Sequence, residues 1–109
     1  MKKSVFSNGV EDLYKGKRDV QFGWMIVKLD GSEIYAMGHS LDRQKAEKTA
    51  RGNLPKVHAY YKGRNGAFER AYLAKQWGCT NQQAVAKADQ LNAEKQAEYK
   101  IEIVELVDA

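Results

Sequence analysis

Residues 20–27 constrain this chain more than any other stretch: Val20, Phe22, Trp24 and Ile26 alternate with Gln21, Gly23, Met25 and Val27. A period of two is strand periodicity, and the second face is unusually apolar for a strand with one side in water, which predicts a central position in a sheet. Asp30-Gly31 follows, the pair that supplies the two positive-φ positions of a type I′ turn, and Ile34, Tyr35, Ala36 and Met37 form the returning strand.

Beyond that hairpin, Ser40 is placed to cap a helix with Leu41, Ala46 and Ala50 at helical spacing, ended by Gly52 with Pro55 after it. Residues 57–61 are rich in β-formers and predict a short third strand, before the turn-forming Lys62-Gly63-Arg64-Asn65-Gly66. A helix over 67–77 is stopped by Gly78, and Thr80 with Gln83 makes a capping box for the next, running to about residue 97. Tyr99, Ile101 and Ile103, alternating with Lys100 and Glu102, close the chain as a strand. Residues 1–19 hold few apolar residues in any period and read as a flexible arm with a short helical turn near residues 10–14.

The expectation is an α+β fold in one domain over residues 20–109. It comprises a small antiparallel sheet of three to four strands, β-hairpin first and C-terminal strand last, with about three helices packed on it. At 109 residues, 43% hydrophobic and 29% charged, the chain has the composition of a globular domain that closes one core without staples. Cys79 is the sole cysteine, which excludes an internal disulfide and points to the cytoplasm, and polar residues break any apolar run after Lys2 and Lys3 that could serve as a signal peptide. The longest mostly apolar run, residues 22–27, is far too short to span a membrane.

For chemistry the inventory is thin. No arrangement links a nucleophile, a base and an orienting carboxylate; Ser40 beside His39 reads as a helix cap. His39, His58 and Cys79 lack the paired close spacing of a zinc site, and no glycine-rich phosphate loop is present, so neither catalysis, a metal nor a cofactor is expected. What stands out is charge. Residues 40–75 carry nine basic residues against three acidic ones, leaving the rest of the chain slightly acidic. Arg43, Lys45, Lys48, Arg51, Lys56, Lys62, Arg64 and Arg70 are interleaved with aromatic residues, of which Tyr60 and Tyr61 are candidates for stacking. Cations hold phosphates while flat rings take bases or ribose, which makes the leading expectation a non-enzymatic module binding nucleic acid or a nucleotide.

Within Leu73–Val85, a small residue followed four positions later by Gly78 and then a capped helix resembles the helix-turn-helix pattern. The resemblance implies that Asn81, Gln82 and Gln83 face bases, amides being able to pair bidentately with adenine; it departs from the pattern in having only Lys87 nearby as a cation, and the same residues make any three-residue αα turn. The hairpin, glycine and helix of residues 24–50 look like the sheet-plus-helix DNA-binding modules of the integrase-arm and AP2 type, but with Met25, Val27 and Ala36 where those present Arg and Trp. The alternative from another class is a small protein-binding inhibitor or adaptor, of a size that phages encode, acting on a protein partner or a second copy through an apolar sheet face at Trp24, Met25 and Val27.

Overall fold

The computed structural model of the chain describes residues 1–60 and 66–109. They form two compact units, Met1–Lys56 with Glu98–Ala109, and Val57–Ala97. The class is α+β, the described residues making two antiparallel three-stranded sheets and three α-helices, more strand than expected.

In the first unit β1 (Lys2–Val5), β2 (Glu11–Tyr14) and β6 (Val107–Asp108) make a sheet of order β2-β1-β6, while β3 (Phe22–Lys28), β4 (Ile34–Ser40) and β5 (Tyr99–Glu105) make one of order β4-β3-β5. The strand read from residues 20–27 is indeed central. Met25 and Ile26 are wholly buried and Val27 nearly so, one set of side chains facing each way. Each such side chain contributes about 1.5–3 kcal/mol by leaving water. On one face Met25 and Val27 pack with Phe6, joined by Val10, Ile34 and Val104. On the other lies α1 (Arg43–Asn53), which packs on β3, β4 and β5 with Ala46 and Ala50 buried; two alanines a helical turn apart let the helix approach closely.

Several local expectations are corrected. Residues 1–19, read as an arm, carry β1 and β2, and the loop between them is tied to β5 by Ser7, whose backbone N–H and hydroxyl donate to the Glu102 carboxylate at 2.8 and 2.9 Å. No apolar alternation marks β1 because the side chain it buries is Ser4. The residues expected to offer an apolar sheet face, Trp24, Met25 and Val27, are all buried, Met25 and Val27 in one cluster with Phe6. The β3–β4 connection is a five-residue loop, 29–33, and not a two-residue type I′ turn, since Gly31 takes positive φ (78°) and Asp30 does not. Asp30 instead turns its carboxylate back to accept from the Ser32 backbone N–H (2.9 Å) and hydroxyl (2.5 Å). Asp42, not Ser40, caps α1, and the helix runs through Gly52 to Asn53 before a 3-10 turn at Leu54–Lys56.

The second unit contains α2 (Gly66–Trp77) and α3 (Asn81–Gln96), packed on each other across Gly78-Cys79-Thr80, and the Thr80–Gln83 capping box is present. Residues 57–60 form no strand; Tyr61 and the turn residues up to Asn65 lie outside the described residues. Tyr60 is held to α3 by Asn92, whose amide donates to the Tyr60 carbonyl (2.9 Å) and accepts from its N–H (2.7 Å). Among the described residues no helix is long and apolar enough to cross a membrane.

Candidate functional site

The first unit holds a cleft of about 260 Å³ lined by Arg18, Val20, His39, Ser40, Leu41, Lys45, Lys48 and Thr49. Three parts of the sequence meet there, and hydrogen bonds specify how. The Gln21 N–H donates to the Ser40 carbonyl (3.1 Å), which lays residues 18–20 beside the end of β4. Tyr14 sets both walls: its hydroxyl oxygen accepts from the Arg18 backbone N–H at 3.2 Å, and its ring packs against the His39 ring with centroids 5.1 Å apart. Lys45 stands in the first turn of α1, where its N–H donates to the Asp42 carboxylate (2.8 Å), with Lys48 and Thr49 one turn on.

None of the described lining residues is acidic. Two carboxylates nearby are already committed, Asp42 as the helix cap and Asp12 with its Oδ2 3.5 Å from His39 Nε2. His39 Nε2 is buried and makes no hydrogen bond in the described structure. Arg18, Lys45 and Lys48 therefore face a shared concavity with two hydroxyls and an imidazole among them, an arrangement suited to oxyanions.

Lys45 and Lys48 line the cleft. Arg43 and Arg51 do not: they stand along another stripe of α1 with Glu47 between them, Arg43 Nε lying 3.4 Å from Glu47 Oε1, and line a separate groove with Ile101 and Ile103. Lys56 ends the 3-10 turn, where its carbonyl accepts from the Tyr35 hydroxyl at 3.0 Å. Arg70 is an exposed residue of α2, in the second unit. Tyr60, also in that unit, packs edge-on against Trp77 with centroids 5.4 Å apart. Tyr61, Lys62 and Arg64 lie outside the described residues. Of the residues that the helix-turn-helix resemblance carried over, Asn81 and Gln82 are exposed at the start of α3, while the Gln83 amide accepts from Thr80 N–H as part of the cap; Lys87 sits over the Trp77 ring at 4.5 Å.

Sequence reasoning missed Arg18, His39, Ser40 and Thr49. The available signal is Lys15-Gly16-Lys17-Arg18, three cations in four residues, ending four positions ahead of the central strand in a segment with no periodicity. No protein-family model matches this chain, and no curated protein or solved structure does either.

Proposed function

We propose that this protein is a non-enzymatic binding module for a phosphate-bearing ligand, nucleic acid or nucleotide, and that the first unit takes the phosphate in the cleft between residues 18–20, the end of β4 and α1. The observation that carries this reading is the convergence of Arg18, Lys45 and Lys48 on one concavity that also presents Ser40, Thr49 and His39 and no acidic described residue. A cluster of like charges raises the local concentration of anions through its field, and the hydroxyls and guanidinium add directional donors for phosphate oxygens. Such a role suits the reducing cytoplasm expected of a chain with a lone cysteine.

Titration with inorganic pyrophosphate at low salt, followed by amide chemical shifts, tests it. The expected result is saturable shifts centred on Arg18, Ser40, Lys45, Lys48 and Thr49, weakening as salt is raised. Small shifts scattered over lysines throughout the chain would remove the site.

A further inference from the structure

Resting on the phosphate-binding reading, we infer that the cleft selects a terminal phosphate, the dianionic phosphomonoester group of a small ligand, over the monoanionic phosphodiesters of a polynucleotide backbone. Three features separate the two. The first is size: about 260 Å³ is below the roughly 300–1,000 Å³ of sites that enclose drug-sized ligands, room for a compact group with a short substituent.

The second is the way the cations are grouped. Arg18, Lys45 and Lys48 line one cleft, whereas a duplex presents a charge about every 1.7 Å along its axis and is held by a track of cations. On α1 such a track would continue to Arg43 and Arg51, and there Glu47 stands between them, its carboxylate 3.4 Å from Arg43 Nε. A polyanion crossing the helix meets that carboxylate; a single terminal group in the cleft does not.

The third is what the walls offer a base. Val20, Leu41 and the His39 ring are the apolar or flat surfaces among the lining residues, and the His39 ring already has Tyr14 against it. Base stacking on aromatic platforms, which drives binding of single strands, has no Phe, Tyr or Trp here to use. Recognition falls to the phosphate itself. A second negative charge and a third unesterified oxygen then each find a donor among Arg18, Lys45, Lys48, Ser40 and Thr49.

The experiment compares methyl phosphate with dimethyl phosphate, and both with a twelve-nucleotide oligothymidylate lacking terminal phosphates, by amide shifts of the full chain at matched ionic strength. We expect methyl phosphate to saturate the cleft with affinity about tenfold or more above dimethyl phosphate, charge-assisted contacts being the strong ones. Lys48→Glu should abolish the response, while Lys100→Glu, the same charge change on β5 away from the cleft, should keep it. Equal binding of the two esters, or tighter binding of the oligonucleotide than of methyl phosphate, overturns the selectivity while leaving the anion site in place. Absence of any cleft response to all three probes overturns both.

Discussion

Ser4 and Gly23 share a space that holds one side chain. A methyl group on Gly23 would lie 2.8 Å from Ser4 Cβ and closer still to its hydroxyl oxygen, with Phe6 next at 3.6 Å, and Ser4 is fully buried in β1. Glycine here is required by the approach of β1 to β3, not by turn geometry. Gly23→Ala should therefore destabilise by about 1–3 kcal/mol, the usual cost of overpacking. The partner change Ser4→Gly removes both clashing atoms, so the double variant Ser4→Gly/Gly23→Ala should recover a good part of the loss, with a coupling of about 1 kcal/mol or more in a denaturant-unfolding cycle. Strict additivity would show that β1 does not sit on β3 at this point. The same pair explains why residues 1–19 do not read as strands: the residue β1 buries is a serine, its hydroxyl without a hydrogen-bond partner among the described residues, and no hydrophobicity pattern marks it.

At the scale of elements, strong local periodicity was legible. The central strand, its return, the C-terminal strand and the Thr80–Gln83 box stand where their residues put them, because each carries its own signal, a period of two or a cap, within its own segment. Ends and turns were harder to read: two residues of capping chemistry two positions apart, Ser40 and Asp42, competed for one helix start, and Asp30-Gly31 found another conformation once Asp30 could hydrogen-bond to Ser32. That loop gives a pH prediction. Hydrogen bonds from the Ser32 hydroxyl and N–H hold the Asp30 carboxyl below the ordinary aspartate range, and a hydrogen bond from Lys28 to Glu33 raises the lysine above its usual value. A lowered acid stabilises the folded loop fully above the ordinary aspartate range and loses that contribution as pH falls through its own midpoint. A raised lysine does so below the ordinary lysine range and loses it as pH rises through its midpoint. Order in 29–33 should accordingly be greatest between the two, with small effects on global stability because Asp30 is exposed and Lys28 only part-buried. Carboxyl-detected titration should place the Asp30 midpoint low in the native chain and raise it in Ser32→Ala, part of the way to the ordinary range because the residue 32 N–H still donates. An unchanged midpoint in that variant would mean the turn is held some other way.

Across the whole molecule, the cleft was half legible. Lys45 and Lys48 stand in a basic run that composition alone picks out, but Arg18, His39 and Ser40 reach them through the packing of β2 on β4 and the pairing of Gln21 with Ser40, contacts that join distant parts of the chain. All of these residues belong to the first unit, which the sequence of the second interrupts between Lys56 and Glu98. One tyrosine ties the two ends of that interruption together: the Tyr35 hydroxyl donates to the Lys56 carbonyl at 3.0 Å, and its ring meets the Tyr99 ring edge-on with centroids 6.2 Å apart. Glu98 is anchored as well, its carbonyl accepting from Leu29 N–H at 2.9 Å. Chain ends held this near each other can be rejoined by a short flexible segment, since loop-closure entropy grows slowly with length. Replacing Val57–Ala97 by a glycine-serine linker of about six to eight residues should thus leave a cooperatively folding protein. It should retain the amide pattern of β3, β4, β5 and α1 and an unchanged pyrophosphate response at Arg18, Lys45 and Lys48. A shortened chain that folds but no longer responds would assign part of the anion site to the second unit; one that fails to fold would show that the 56-residue segment and the C-terminal strands need it to complete their core.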